Sequence, residues 1–380
     1  MKQTIRIGLI GCGFMGRAHS NAYQQVNKFF DMDIKPVLKA VCATDDGLDD
    51  FANRWGYESV ESDWRKLIER NDIDLIDICA PNFLHCEIAL AAAAAGKMII
   101  CEKPLARNYA EAERMAAAVE QANVANMVGF NYRRVPAITL AKEVVASGRL
   151  GKIFHYRAQY LQDWTISANL PVGGNTLWRL DKSQAGAGVC GDLLSHAIDT
   201  AEWLAGEISA VCSLSETFIR ERKRHDDEGR TQKIEIDDAC ISLVQFESGA
   251  IGCFEATRYA RGRKNFNTFE INGAQGSLYF NLENAHELQY YDHGDEASLR
   301  GWRTIRVWEA EHPYMKNWWV PGCAIGYEHT HIHSMRDFLQ GIADGNKLCP
   351  DFRDGLRTQR ICDMILTSAQ QRKWVTIHNA

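Results

Sequence analysis

Apolar residues in the first 130 positions come in short β-branched runs separated by stretches of helical period. Ile5–Ile10, Val37–Ala43, Asp74–Ala80, Met98–Cys101 and Asn126–Phe130 read as strands. Phe14–Phe30, Leu48–Trp55, Trp64–Arg70, Phe83–Ala95 and a segment from Asn108 to about Gln121 read as helices between them. Asn82 suits the N-cap of the fourth helix and Gly96 its C′ position, and Asn108 with Glu111 three residues on resembles a capping box. Strands that alternate with helices predict a doubly wound parallel sheet.

From about residue 151 the rhythm changes. Ile153–Leu161, Ser209–Ile219, Ala239–Glu247, Ala250–Tyr259, Phe266–Ile271, Glu287–Tyr291 and Trp302–Trp308 are strand-like, several joined by short turns such as Ser248-Gly249 and Asn272-Gly273. Helices are expected at Asp192–Ala205, His331–Ala343 and Gly355–Gln371. The pattern predicts an α/β chain: an N-terminal doubly wound domain over residues 1–130 and an α/β domain with a large, mainly antiparallel sheet over 131–380. The run Arg220–Arg230, dense in both charge signs, reads as a solvated loop between strands.

Composition narrows the class. With 380 residues, 46% hydrophobic and 24% charged, the chain is long enough for two cores and has an ordinary globular mix. The net charge of −6 leaves no basic excess for a nucleic-acid footprint, so no nucleic-acid partner is expected. The longest apolar run, Ile88–Ala95, is too short to span a bilayer, and the start of the chain lacks the apolar stretch of a secretory signal, so a cytoplasmic protein without a membrane partner is expected. The twelve cysteines form no CxxC pair. Cys42, Cys79, Cys101, Cys212, Cys240 and Cys253 lie in apolar runs, as reduced small hydrophobes would.

Two clusters carry chemistry. Gly11-Cys12-Gly13-Phe14-Met15-Gly16 follows a strand and opens a helix, the context in which GxGxxG cradles a dinucleotide pyrophosphate. The acid expected at the end of the second strand is displaced: Ala43 stands in its place, followed by Thr44, Asp45 and Asp46. With no Arg or Lys beside it to hold a 2′-phosphate, NAD is expected as cofactor, with NADP the alternative. At the end of the fourth strand, Glu102-Lys103-Pro104 places a lysine at the same sheet edge as the glycine loop, where it can orient a hydroxyl and favour an alkoxide. Further on, Asp192 and His196 sit at i and i+4 of a predicted helix and share a face. Oxidising an alcohol requires a base for the hydroxyl proton, and histidine, with an ordinary pKa of about 6.5, suits that role. No metal site is expected, either from Asp192, His196 and Asp199 or from the alternating His329, His331 and His333.

The glycine loop with His19, then Glu102-Lys103-Pro104, then Asp192-x-x-x-His196, with Gly129-Phe130-Asn131-Tyr132-Arg133-Arg134 between, resembles the glucose–fructose oxidoreductase/inositol dehydrogenase (Gfo/Idh/MocA) family over nearly the whole chain. The resemblance implies a Rossmann domain followed by an open-sheet domain. It implies NAD(P)-dependent hydride transfer at a secondary alcohol carbon of a sugar, anhydrosugar or cyclitol. It also implies Lys103, Asp192 and His196 as the catalytic trio with His196 as acid/base, and a homodimer or homotetramer built on the open sheet. Two other outcomes stay open on sequence alone: an NAD-dependent glycoside hydrolase acting by transient oxidation and elimination, and a non-catalytic ligand sensor. Expected cofactor contacts are Gly11, Gly13, Phe14, Met15 and Gly16 from the loop, and Thr44 and Asp45 after the second strand. Pro81, Asn82 and His85 after the third strand, and Glu102 and Lys103 after the fourth, complete them. Expected sugar contacts are Lys103, Tyr132, Arg133, Trp164, Arg179, Asp192, His196 and His329. Seven of the ten tryptophans fall in 151–330, where aromatic faces would suit a sugar ring.

Overall fold

The computed structural model describes residues 3–44, 46–227 and 229–377. The chain divides into two compact units, residues 1–131 with 326–359 and residues 132–325 with 360–380. Residues 326–359, grouped with the C-terminal part on sequence grounds, therefore belong to the first unit. The reason lies in Tyr327–Asp344, which packs along the first helix: Tyr327 stacks on Phe14 at 5.9 Å and His333 meets Phe30 edge-on at 6.0 Å.

The first unit holds a six-stranded sheet of β1 (Gln3–Ile10), β2 (Ile34–Cys42), β3 (Ser59–Glu61), β4 (Leu75–Ile78), β5 (Met98–Cys101) and β6 (Asn126–Val128). All pairings are parallel and the order is β3-β2-β1-β4-β5-β6. Helices α1 (Phe14–Phe29), α2 (Leu48–Trp55), α3 (Trp64–Glu69), α4 (Asn82–Ala94) and α5 (Tyr109–Ala122) connect the strands. This is the Rossmann order, whose reversal between β1 and β4 opens a binding edge at the strands' carboxyl ends. β4 is buried at all four positions, as a central parallel strand covered on both faces must be.

Local chemistry sets the helix ends. Asn108 caps α5 by accepting the Glu111 N–H at 3.0 Å. The return half of the box goes elsewhere: the Glu111 carboxylate takes the Arg107 N–H at 3.2 Å and the Arg107 guanidinium. Asn82 is not an N-cap. Pro81, extended at φ −61°, ψ 149°, takes that position and the helix opens on Asn82. Gly96, at φ 68°, closes it as expected.

The second unit is built on a nine-stranded mixed sheet in the order Arg303–Arg306, Glu287–Asp292, Gly276–Asn281, Phe266–Gly273, Ile153–Leu161, Ile251–Thr257, Ala239–Phe246, Ile208–Glu216, Val375–Thr376. Only Ile251–Thr257 against Ile153–Leu161 is parallel. One face is covered: Cys240, Val244 and Phe246 point into a core shared with Leu194, Ala197, Ile198 and Ala201 of the helical layer. The alternate positions Ile241 and Leu243 stand exposed on the other face. The charged run expected to be a solvated loop instead forms a hairpin, Glu221–Lys223 against Thr231–Lys233. Arg222 inside it is buried, its guanidinium donating to the carbonyls of Thr165 and Ser167 at 2.7 Å and of Leu170 at 3.2 Å. Those bonds offset its desolvation.

Candidate active site

The glycine loop has the shape of an anion cradle. Gly11 adopts φ +106°, and a Cβ there would lie 2.5 Å from the Cys79 carbonyl oxygen. A Cβ on Gly16 would lie 2.1 Å from the Gly11 oxygen, so the third glycine is what lets α1 start against the turn. Gly13 differs: no atom of the described chain comes within 4 Å of its missing Cβ. It is the N-cap of α1, makes no side-chain cap, and no acidic residue sits in the first turn. The free N–H groups and the helix dipole are thus left for an anion. Phe14 is exposed and stacks on Tyr327, whose hydroxyl donates to Met15 Sδ at 3.8 Å. Thr44 follows β2 and is exposed. Asp45 lies outside the described residues.

Beneath this loop runs a buried polar chain. On α1, His19 Nδ1 meets both Asp77 oxygens at 3.0 and 2.9 Å, and its Nε2 meets Glu102 Oε1 at 3.1 Å. Tyr23 also donates to Asp77, at 2.9 Å. Glu102 Oε2 in turn accepts the Lys103 N–H at 3.2 Å. Gly129 makes room: a Cβ there would lie 2.4 Å from Glu102 Oε1. The Lys103–Pro104 peptide is cis. His85, expected beside cofactor, is buried between the carbonyls of Ala80 at 2.9 Å and Pro104 at 3.0 Å, and burial lowers its pKa. His329 caps the helix Tyr327–Asp344, its Nδ1 accepting the Gly326 N–H at 2.9 Å. His331 is buried, with Asn131 Nδ2 3.4 Å from its Nε2.

In the second unit the predicted helix over Asp192–Ala205 is split. Cys190–Leu194 is a π turn, and the α-helix runs Ser195–Ala205. Asp192 therefore leaves a widened turn, a device concentrated at functional sites. The turn is anchored by buried Asp237, which accepts the N–H groups of Gly188 at 2.7 Å and Cys190 at 2.6 Å. Arg258 Nη2 donates to Asp192 Oδ2 at 2.5 Å. Trp164 lies over the Arg258 guanidinium at 5.0 Å and donates to Gln162 at 2.9 Å. His196 is buried against the ring of Tyr132 at 4.4 Å and near Tyr160 at 5.9 Å. The two tyrosine hydroxyls are 3.0 Å apart, and Asn265 joins them, accepting from Tyr160 at 2.6 Å and donating to Tyr132 at 3.3 Å.

Two of the expected sugar contacts have partners within the chain. Arg133 makes a buried forked pair with Asp199, at 2.9 and 2.5 Å, and its guanidinium lies over Trp203 at 5.4 Å. Arg179 lies over Trp178 at 4.4 Å. Arg258, Tyr160, Asn265, Asp237 and Asp77 were missed by sequence reasoning. The Asp237-Asp238 doublet before an alternating strand, and Asp77 inside the apolar run Leu75–Ile78, were the available signals. None of the twelve cysteines is in a disulfide. Among the described residues, no helix is long and apolar enough to cross a membrane.

Comparisons with known proteins bear on the family and the fold. Residues 5–130 match the oxidoreductase family with an NAD-binding Rossmann fold, and residues 138–279 match the GFO/IDH/MocA C-terminal domain. The chain is 43% identical over 389 residues to a levoglucosan dehydrogenase of Pseudarthrobacter phenanthrenivorans, covering 99% of this chain and 98% of that one. It is 27% identical to a myo-inositol 2-dehydrogenase of Thermotoga maritima, covering 92% of each. A solved levoglucosan dehydrogenase in complex with NADH and levoglucosan superposes with a TM-score of 0.94 at 44% identity, covering 99% of this chain and 100% of that one. An oxidoreductase domain protein from Kribbella flavida superposes with a TM-score of 0.95 at 43% identity, covering 99% and 100%. The chain belongs to the GFO/IDH/MocA family of NAD-binding oxidoreductases.

Proposed function

We propose that this oxidoreductase uses NAD to oxidise a secondary alcohol carbon of an anhydrosugar of the levoglucosan type. The observation that carries the reading is the full-length likeness, at 43% identity, to a relative named for that substrate. The residues present fit the cofactor: Gly11 and Gly16 close the turn, Gly13 leaves the phosphate side open, and α1 starts without a cap or an acid of its own. NAD is favoured over NADP because no Arg or Lys follows Thr44 directly.

Bound NAD supplies the hydride acceptor. His196, packed against the Tyr132 ring, takes the hydroxyl proton as the carbon loses its hydride. The Lys103 ammonium stabilises charge on the oxygen as the ketone forms. Asp192, paired with Arg258, accepts a hydrogen bond from a sugar hydroxyl and fixes the ring. Trp164, partly exposed, offers an aromatic face to the sugar. A homo-oligomer built on the open sheet is part of the reading. Leu214, Ile241, Leu243 and Ile251 stand exposed on one sheet face, with Ile241 directly opposite Leu214. The cytoplasm suits cysteines that form no disulfide.

The test is initial-rate NAD and NADP reduction over levoglucosan, related pyranoses and inositols, with light scattering for subunit number. Levoglucosan should give the highest kcat/KM, with NAD ahead of NADP. Glycoside cleavage without net NADH would replace the dehydrogenase with the hydrolase.

A further inference from the structure

Asp77, His19 and Glu102 form a three-member charged chain inside the first unit, with side chains 0%, 2% and 6% exposed. Their hydrogen-bond inventory determines who holds the protons. Glu102 faces His19 Nε2 with one oxygen and accepts the Lys103 N–H on the other. Asp77 receives from Tyr23, sits 3.6 Å from the Cys79 thiol, and faces His19 Nδ1 with both oxygens. Both carboxylates are therefore arranged as acceptors. A neutral imidazole has one N–H and could serve only one of them, whereas the imidazolium serves both.

We propose that His19 is a buried imidazolium and a positioning residue for the reaction: clamped between Asp77 and Glu102, it holds Glu102 on the backbone amide of Lys103 and so fixes the turn from which the lysine projects. The proposal rests on the reading of Lys103 given above.

The surroundings support the charge. Burial by itself would lower the His19 pKa, but the adjacent Asp77 carboxylate overrides it and the net direction is strongly upward. His331 packs its ring 5.4 Å from that of His19. Burial, then the His19 charge, push its pKa down, so it stays neutral and does not compete for the carboxylates. The Cys79 thiol is driven upward by burial and then by Asp77, which keeps it neutral too. The two nearby groups that bring ligand-type atoms together, His19 with Asp77 and Cys79, and His19 with Glu102 and His331, are accounted for by the same protons: an imidazolium has no lone pair for a metal. His19 lies on α1, the helix that opens on the glycine loop. One side chain thus ties the phosphate-binding helix to β4 and to the exit of β5.

Two measurements on the full-length enzyme test this. In the first, His19→Gln and Glu102→Gln are compared in the wild-type and Lys103→Met backgrounds. Each single change should lower kcat on the order of 10- to 100-fold, leaving the sugar KM within about threefold. In Lys103→Met, His19→Gln should lower the residual kcat by less than about twofold, because its effect runs through the lysine. Equal losses in both backgrounds would reduce His19 to a fold-stabilising group and overturn the proposal. If His19→Gln does not fold, Glu102→Gln, which keeps the side chain's size, carries the same comparison. In the second, nitrogen chemical shifts of labelled histidines should show His19 protonated at both Nδ1 and Nε2 at and moderately above neutral pH. A neutral His19 in that range would sink the charge assignment whatever the kinetics. Wild-type activity in Lys103→Met would instead remove the lysine reading and the positioning role with it, leaving the charge assignment to be judged by the spectra.

Discussion

Arg258→Met separates holding Asp192, catalytic in the proposed reading, from holding the fold. The change removes the guanidinium whose Nη2 donates to Asp192 at 2.5 Å and leaves an unbranched apolar chain over Trp164. A charge-assisted hydrogen bond of this kind contributes about 1.5–3 kcal/mol. The guanidinium over the Trp164 ring adds about 0.5–2 kcal/mol. Against these, Arg258 Nε and Nη1 are buried with no hydrogen-bond partner among the described residues, and each such group costs about 1–3 kcal/mol. Methionine removes both. Asp192 is 22% exposed, so its carboxylate can draw on water once the arginine is gone. Stability should therefore move by no more than about 2 kcal/mol in either direction, a Tm shift below about 8 °C in a unit of this size. Activity has no such compensation. Asp192 loses the group that orients it, and kcat/KM should fall about 10- to 100-fold, or about 1.4–2.8 kcal/mol of transition-state stabilisation. Initial rates with NAD and levoglucosan, paired with urea denaturation, measure both. In Asp192→Asn the further cost of Arg258→Met should shrink sharply. A kcat/KM within twofold of wild type would refute the reasoning. So would a stability loss beyond about 4 kcal/mol, which would make Arg258 a pin of the fold.

Gly13→Val puts a branched side chain where nothing in the described chain crowds the Cβ, so the fold should be kept while NADH affinity, read by fluorescence titration, falls by more than tenfold; unchanged affinity would dismiss the phosphate cradle. His196→Ala should lower kcat by about 10²–10⁴-fold at neutral pH with NADH affinity retained, and full activity in the folded variant would move the proton transfer to another group. Acid should erode the first unit in a defined order of sign. Arg70 holds Asp72 down to about 2, and Arg6 holds Asp74 below the ordinary carboxylate range. Depressed carboxylates add stability that is complete above their unfolded pKa near 4 and is lost as pH falls toward 2. A Tm profile from pH 6 to 2 should be shallower in Asp74→Asn than in wild type; parallel profiles would remove this pair from the acid response.

Much of the scaffold was legible because its signals are local. The glycine loop, the strand Met98–Cys101, the strand Ile153–Leu161 and the helix Leu48–Trp55 each announce themselves within a dozen residues, by period or by a turn residue that only one backbone shape accepts. Short elements with little apolar content did not. Ser59–Glu61 is a three-residue edge strand with no buried position. Gly276–Asn281 is a full strand hidden behind two glycines. The π turn at Cys190–Leu194 was invisible for a different reason. It depends on Asp237, far along the chain, taking the N–H groups of Gly188 and Cys190.

That last case states the general limit. A buried charge can be read only together with its partner, and the partners here are distant: His19 and Asp77 are 58 residues apart, Asp192 and Arg258 are 66, Arg133 and Asp199 are 66. Taken singly, each looks like a surface residue or a substrate contact. Desolvation forbids an unpaired charge at these depths, so once the fold brings the partners together the assignment becomes forced. An arginine with Nε and Nη2 on a buried aspartate has its plane fixed by that pair. An arginine with one arm on Asp192 and two nitrogens unspent is in a different situation, and so is a histidine with a carboxylate at each nitrogen. The residues proposed to touch substrate were named from motif and order. Those that aim them are defined by pairing across the chain, and pairing is what folding adds.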